Sequence, residues 1–552
     1  MSGKLLGLMQ DDFQLTVNHI RGRLRTCNHG AEVVTLLDGD QLDGKSLDRI
    51  THAQLSDRVD RLARALAGLG IEQGDRVGTF AWNNREHLEL YFAVPCTGAV
   101  LHTLNIRLFA EQLTYIINHA EDRVIFIDDS LVPVFEKLLP TLRTVEQYVV
   151  IGDGDPGSIP GALRYEDLLD QAGAGRYDYP DLDERQAAAL CYTSGTTGNP
   201  KGVLYSHRSI SMHSTATLMS DANGLSRADK VLAVVPMFHA NAWGLPFGAA
   251  LAGADLVLPD RFLGAEPLAK LIEAERPTQV GCVPTIFADL LRYADTHPEA
   301  DLSSLTNAAC GGSAVPRQLM RDFEERHDVR IFQAWGMTET SPIATYSRPR
   351  EGAHDEDYWD QRAKQGRPLP WVELRLVDDE TQEVPWDGES TGEVEVRGPW
   401  VAASYFRDSS EEQKFDGGWL RTGDIASVDE KGYMQITDRA KDVIKSGGEW
   451  ISSVELENEL MAHPDVLEAA VIAKPDPRWA ERPLCCVVLC EGSAVDASGL
   501  LEHLRPRVAR WWLPDEFAFV PEIPKTSVGK FDKKVLRMRL AEDSLEGRVL
   551  LS

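Results

Sequence analysis

The stretch Tyr192-Thr-Ser-Gly-Thr-Thr-Gly-Asn-Pro-Lys-Gly202 concentrates phosphate chemistry. Thr193, Ser194, Gly195, Thr196, Thr197 and Gly198 offer hydroxyls and unhindered backbone N–H groups in succession, and Lys201 adds a cation just beyond them. Donors of this kind wrap an anion closely. The loop is not a Walker A loop, because Gly198 is followed by Asn-Pro-Lys instead of Gly-Lys-Ser/Thr. The competing reading, a plain Ser/Gly linker, is weakened by the apolar runs on either side, Ala187-Ala-Ala-Leu-Cys191 and Val203-Leu-Tyr205.

Further groups of chemically capable residues follow in order. They are Trp335-Gly-Met-Thr-Glu-Thr-Ser-Pro342, Gly418-Trp-Leu-Arg-Thr-Gly-Asp424, Asp438-Arg-Ala-Lys-Asp442 with Ser446-Gly-Gly-Glu449, and Pro524-Lys-Thr-Ser-Val-Gly-Lys530. With the hydroxyl-rich loop, this series resembles the adenylate-forming superfamily of acyl-CoA synthetases, luciferases and peptide-synthetase adenylation domains. Val235-Pro-Met-Phe-His-Ala-Asn-Ala-Trp243, Gly311-Gly-Ser313 and Gly447-Gly-Glu-Trp-Ile-Ser452 look most like the fatty acyl-CoA synthetases and methylmercaptopropionate-CoA ligases.

That resemblance implies roles residue by residue. A carboxylate attacking the α-phosphate of ATP brings two anions to about 4 Å, where they repel by about 4 kcal/mol at an effective dielectric of 20. Lys530 matches the family Lys that bridges the two. Glu339 matches the magnesium carboxylate, with Thr193 as its hydroxyl partner, and a hard cation that keeps several waters needs little more from the protein. Trp335 offers adenine a flat face, and Gly336 beside it lets the backbone approach. Asp424 can accept from both ribose hydroxyls, with Arg439 as the second ribose contact. Thr193, Ser194, Gly195, Thr196, Thr197, Lys201, Gln333, Thr338, Lys441, Lys445 and Trp450 complete the implied nucleotide and coenzyme contacts. His239, Trp243, Gly311, Gly312 and Ser313 are the implied acid pocket. Trp243 matches an indole that gates the fatty-acid tunnel, set against an ordinary core or pocket-lining Trp. Trp450 agrees with the long-chain subgroup and favours an aliphatic acid.

The elements that must hold these residues read as α/β. Between residues 50 and 260, helical spacing such as Leu55 to Leu69, Glu86 to Thr97 and Val132 to Leu139 alternates with β-branched runs such as Val77 to Trp82, Arg123 to Asp128 and Tyr148 to Ile151. Residues 373–437 carry short strands broken by Gly and Asp, as in a small distorted β-barrel. After Asp438 the pattern resets to a compact α+β unit, where Ser452-Ser-Val-Glu455 forms a capping-box signature. Strands are expected at Ala469 to Ala473 and Cys485 to Cys490, and a helix near Leu500 to Ala509. The expected domains are 1–437, large and layered, and 438–552, a mobile C-terminal unit carrying Lys530 beyond a hinge near Asp438.

Composition narrows the function classes. Over 552 residues, 57 Lys+Arg against 86 Asp+Glu leave a net charge of −29. Such a charge repels nucleic acid and anionic membranes at long range, so a phosphate ligand must be met locally. Nothing reads as a signal peptide or transmembrane span, giving an expectation of a cytoplasmic protein. Most of the eight cysteines sit in apolar runs and read as core thiols. The expected activity is an ATP- and magnesium-dependent fatty or small aliphatic acid:CoA ligase that forms acyl-CoA, AMP and pyrophosphate through an acyl-adenylate. The rival enzymes are a methylmercaptopropionate-CoA ligase and an acyl-AMP ligase serving a carrier protein. A silent binding protein on the same fold is disfavoured by Lys530, Glu339 and Asp424. A Rossmann dehydrogenase is disfavoured because no G-x-G-x-x-G follows a predicted strand. Analogy with the long-chain relatives extends to a homodimer, for which residues 1–30 carry no signal of their own.

Overall fold

A computed structural model describes residues 9–550 except 11, 40, 41, 43, 44, 194–198, 351, 353, 354, 379, 410, 411, 440, 441, 443, 447, 448 and 526–530; at 412, 438, 439, 445, 449 and 450 it describes backbone alone. Among the described residues four sheets form. The first runs Leu163–Arg164, Gln147–Ile151, Asp122–Asp128, Arg76–Phe80, Val100–Thr103, Ala187–Tyr192, Gly202–Ser206. Its strands are parallel until the last pair, which is antiparallel because a short loop joins those two strands directly. The loop is the hydroxyl-rich segment.

The second sheet has nine strands, with Ile331–Gly336, Asn307–Gly311, Gln279–Cys282, Lys230–Ala233 and Asp255–Leu258 adjacent and parallel at its centre. Beyond their polar first residues Lys230, Asp255, Gln279 and Asn307, and apart from Gln333, these strands are apolar, as strands covered on both faces require. One core joins the two sheets: Val77 and Leu101 of the first and Val231 and Leu256 of the second share it with Leu55, Leu62, Phe92 and Val94 from intervening helices. Helix His52–Gly68 starts where its sequence indicates. The Thr51 hydroxyl accepts from the Gln54 N–H at 3.2 Å, and the Gln54 side chain accepts from the Thr51 N–H at 2.7 Å, satisfying two end groups that helix bonding leaves open.

A four-stranded antiparallel sheet of Glu373–Val377, Gly392–Arg397, Leu420–Val428 and Met434–Arg439 forms the half-barrel within the region read as a small distorted barrel. The C-terminal part has its own sheet, including Val466–Asp476 and Ala480–Leu489, and its own apolar core of Ile444, Leu456, Val471, Val487, Leu500 and Phe517. The Ser452 hydroxyl accepts from the Glu455 N–H at 3.1 Å and caps helix Ser453–Met461.

Three expectations change in detail. The helix read over Val132 to Leu139 is split into Val132–Phe135 and a 3-10 turn Leu139–Thr141, with Pro133 and Pro140 punctuating it. The helix near Leu500 runs Ala497–Leu504 and stops ahead of Pro506, which has no N–H to continue the hydrogen-bond ladder. Cys27 is exposed and Cys490 half-buried, while the other six thiols are core. No described helix is long and apolar enough to cross a membrane.

Burial also sets a pH dependence. It pushes the imidazoles of His52, His87, His207 and His213 down to about 4 from the ordinary 6.5. His87 Nδ1 donates to the Trp82 carbonyl at 2.8 Å, so Nε2, 2.9 Å from the Thr79 hydroxyl, acts as acceptor and the ring is held neutral. The unfolded chain takes up a proton as pH falls through 6.5, whereas the folded ring resists until about 4. Stability from each such ring is complete above 6.5 and drains away between 6.5 and 4. Burial raises the Glu89 and Asp260 carboxyls to about 7, which acts in the opposite sense, so a variant comparison isolates the histidine. His87→Gln should cost stability at pH 7, and its deficit against wild type should narrow by about 2 kcal/mol at pH 4.5. Unfolding of both proteins at the two pH values measures this; a deficit independent of pH contradicts it.

Candidate active site

Strand order decides which motifs meet. Trp335–Thr340, Gly311–Ser313, Val283–Thr285 and Val235–Trp243 all lie at the carboxyl ends of neighbouring parallel strands of the nine-stranded sheet. Crevices outside such ends are where open α/β sheets receive ligands. Residues from each, Gly312 and Ser313 but not Gly311 among them, form one wall of a cleft of about 510 Å³, to which Thr193 and Lys201 of the first sheet, Thr422 and Asp424 of the half-barrel, and Asn458, Lys533 and Arg537 of the C-terminal part also contribute.

At the mouth of the hydroxyl-rich loop, the Thr193 N–H donates to the Lys201 carbonyl at 2.9 Å, and the Lys201 N–H donates to Thr193 Oγ1 at 3.1 Å. The Lys201 ammonium pairs with Asp408. Asp408 belongs to the turn that begins at Tyr405, and this turn is fastened to the loop's exit strand by the Phe406 N–H, which donates to the Gly202 carbonyl at 2.8 Å. The same turn therefore places Tyr405, whose hydroxyl donates to Glu339 Oε1 at 2.5 Å and accepts from Lys414 Nζ at 3.2 Å. Glu339 is only 4% exposed, and its carbonyl accepts from the Ala402 N–H at 2.7 Å. Its carboxylate is thus aimed by a hydroxyl that a cation polarises, which suits a carboxylate meant to meet a bound cation.

On the other side of the cleft, the Trp335 indole N–H donates to Asp424 Oδ2 at 2.9 Å, and the Asp424 N–H donates to the Thr422 hydroxyl at 3.1 Å. Ladder register sets Arg439 opposite Asp424. Gly336 is required by a close approach: a Cβ there would lie 1.8 Å from the Pro342 carbonyl oxygen.

The acid-pocket residues divide. His239, Trp243, Gly312 and Ser313 line the cleft. Gly311 is buried; a Cβ on it would lie 2.5 Å from the Ala334 carbonyl oxygen and 3.2 Å from the Trp243 ring, so it seats the indole instead of forming open wall. Trp243 is the last non-glycine residue of a left-handed run that ends at Gly244, with φ of 42° at Ala240, 50° at Asn241, 49° at Ala242 and 56° at Trp243 itself. Non-glycine residues resist this conformation by about 1–2 kcal/mol each, and the run persists because it is held from outside. Asn83 Nδ2 donates to the Ala233 and Val235 carbonyls at 2.7 and 2.9 Å, its Oδ1 accepts from the Met237 N–H at 2.7 Å, and the Cys191 thiol donates to Asn241 Oδ1 at 2.9 Å.

Gln333 does not join the cleft. Its carboxamide is buried behind the strand, accepting from the Val315 N–H at 3.2 Å and donating to the Ala363 carbonyl at 2.5 Å. Thr338 lines the cleft, and its carbonyl accepts from the Tyr205 hydroxyl at 2.7 Å. Lys445 and Trp450 face each other in a hairpin register, with side chains outside the described set, as is that of Arg439. Ser194, Gly195, Thr196, Thr197, Lys441 and Lys530 lie outside the described residues. Sequence reading missed Tyr405, Asp408 and Lys414, whose one local signal, the aromatic pair Tyr405-Phe406 ahead of Arg407-Asp408, does not indicate a partner 66 residues away at Glu339.

The family model for AMP-binding enzymes matches residues 28–406, and that for the AMP-binding enzyme C-terminal domain matches residues 455–530. The chain belongs to the AMP-binding enzyme family. It is 47% identical to a 3-methylmercaptopropionyl-CoA ligase of Ruegeria pomeroyi, over 88% of this chain and 90% of the relative. A medium-chain-fatty-acid–CoA ligase of Ectopseudomonas oleovorans is 45% identical over 88% and 89% of the two chains, and a long-chain-fatty-acid–CoA ligase of Thermus thermophilus 45% over 89% and 90%. Among solved structures, an anthranilate CoA ligase in complex with anthranoyl-AMP superposes with a TM-score of 0.86 at 29% identity, covering 96% of this chain and 99% of that one. With these relatives the adenylate-forming expectation holds, and the chain is an AMP-forming acid–thiol ligase of the acyl-CoA synthetase class.

If Tyr405 aims the Glu339 carboxylate, Tyr405→Phe should raise the magnesium concentration for half-maximal pyrophosphate release by about tenfold while leaving the melting temperature nearly unchanged. An unaltered magnesium titration would show that the hydroxyl serves packing alone.

Proposed function

We propose that this ligase activates a short to medium aliphatic acid with magnesium–ATP and passes the acyl group to coenzyme A. The carrying observation is the placement, in one cleft, of Glu339, Asp424 and Trp335 beside a pocket walled by Val235, Ala240, Val283 and Trp243. The acid's chain lies along that apolar wall, and its carboxylate attacks the α-phosphate, releasing pyrophosphate and leaving acyl-AMP. The coenzyme A thiol then attacks the acyl carbon and AMP leaves with the bonding electrons. No enzyme nucleophile is needed; orientation and charge neutralisation carry the acceleration.

Within this reading, Asp424 and Arg439 hold the ribose, Trp335 flanks adenine, and Lys201 with the loop donors hold phosphate oxygens. Glu339 and the Thr193 hydroxyl fit magnesium, since both reach the cleft and hard oxygen ligands suit that ion. When bound, it supplies positive charge against the phosphates. Lys530 offsets the repulsion between carboxylate and α-phosphate. Asp438 continues the half-barrel strand, paired with Ile425, and is the proposed pivot about which residues 438–552 turn between the two half-reactions. A homodimer belongs to the same reading and rests on the resemblance to the long-chain ligases; the cytoplasmic location belongs to it as the expectation drawn from the sequence.

Methylmercaptopropionate is the second reading, favoured by the seat of Trp243. With the indole lying on Gly311 and near Gly281, the pocket suits a short acid, and a long acyl chain requires the ring to swing away. A pyrophosphate-release screen from propionate to palmitate, with methylmercaptopropionate included, tests both. Trp243→Ala should shift the optimum of kcat/KM toward longer acids and leave the KM for ATP nearly constant; an equal loss for every acid together with a lower melting temperature would mark a core Trp.

Lys530→Ala should abolish acyl-AMP formation and leave thioester formation from supplied acyl-AMP largely intact. Equal loss in both half-reactions would overturn the division of labour between them.

A further inference from the structure

His213 does not itself line the cleft, yet it stands between the two halves of the site. It projects from helix His207–Thr217, whose first turn is fixed by the Ser206 hydroxyl accepting from the Ser209 N–H at 3.0 Å. The ring is 1% exposed. On one side it lies against Gly244, the residue that ends the left-handed run carrying Trp243. A Cβ at Gly244 would stand 2.7 Å from His213 Nδ1 and 2.8 Å from Cε1, so the ring occupies the space any other residue would need. On the other side His213 Nε2 accepts from the Ile343 N–H at 3.2 Å.

Ile343 and Pro342 line the cleft four and three residues after Glu339. The Ile343 peptide is gripped at both ends, because the Trp400 indole N–H donates to its carbonyl at 3.0 Å. Trp400 also packs edge-on to the His213 ring, with centroids 5.9 Å apart and planes at 87°, and its own carbonyl accepts from the Ser341 hydroxyl at 2.7 Å. One rigid ring therefore bears on the acid-pocket turn and on the segment that runs back to Glu339.

We propose that His213 is a positioning residue that sets the register between the Trp243 turn and the Glu339 segment, so that the acid carboxylate and the ATP phosphates are presented to each other correctly. A left-handed run of four non-glycine residues keeps its shape only while its neighbours hold it. If the ring is lost, the turn gains room at Gly244 and the Ile343 N–H loses its acceptor in a buried place. Both walls of the cleft then loosen together, and adenylation slows even though no group touching substrate has changed. This rests on the proposed reading that acid binds beside Trp243 and magnesium–ATP beside Glu339.

The test compares wild type, His213→Leu and His213→Gln in pyrophosphate release over a series of acid chain lengths, with melting temperatures measured alongside. Leu approximates the volume and removes the acceptor; the Gln amide oxygen can still accept from the Ile343 N–H. The Leu variant should lose about tenfold in kcat and flatten the preference among acids, while Gln keeps kcat within about threefold of wild type. Equal deficits in Leu and Gln, or a Leu variant with the wild-type kcat and acid profile, would overturn the proposal. A wild-type chain that releases no pyrophosphate with any acid would overturn both this and the functional reading beneath it. Should His213→Leu fail to fold, Trp400→Phe carries the test, since it keeps a ring against His213 and removes the donor to the Ile343 carbonyl. A loss of about threefold with the same flattened profile is expected there, and wild-type values would overturn the clamp.

Discussion

The parallel ladder through Gln279–Cys282, Asn307–Gly311 and Ile331–Gly336 is the constraint from which the site follows. Neighbouring strands lie about 4.8 Å apart, so loops leaving their carboxyl ends begin side by side however far apart they are in sequence. Gly312 and Ser313 just after the second strand, the Trp335–Glu339 segment of the third and the Val283 turn of the first consequently share one crevice. Loss of that register would scatter them, because a slip of one residue turns every side chain to the opposite face.

Onto this frame the molecule adds positive charge sparingly. The chain as a whole carries −29, and four of the cations at the cleft are tied to acidic or hydroxyl partners: Lys201 to Asp408, Lys414 to Tyr405, Arg537 to Asp442, Lys533 to Glu457. Partly buried pairs of this kind cost desolvation and add little net stability. What they offer here is aim. Lys201 and Glu339 are oriented from one turn at Tyr405–Asp408, so the strand leaving the hydroxyl-rich segment and the Glu339 segment are braced by the same few residues.

Left-handed non-glycine residues occur elsewhere as single positions, but four in succession stand at Ala240–Trp243, beside the cleft. The left-handed run at Ala240–Trp243 is locally unfavourable; Cys191 holds it directly at Asn241, while Asn83 fixes the preceding Ala233–Met237 segment and His213 bears on Gly244 after it. These braces come from three separate parts of the chain, so the run is a product of the assembled fold and not of its own sequence.

Much was legible in the residues themselves. The Ser/Thr/Gly loop, the order of the later motifs, the alternation of helix and strand, and the Ser452 cap are local features, written in periodicity, glycine placement and short-range hydrogen bonding, and they were sufficient to identify the family, the layered α/β frame and the separate C-terminal core. The partnerships were not legible. That Tyr405 would meet Glu339, that Trp335 would donate to Asp424 across 89 residues, that Gln333 would turn away from the cleft into buried hydrogen bonds, and that Gly311 would lie beneath an indole depend on strand order and on which loops leave the same edge. Local sequence sets which conformations a segment prefers; long-range packing alone decides which segments touch, because those contacts are chosen by how whole layers bury their apolar faces together.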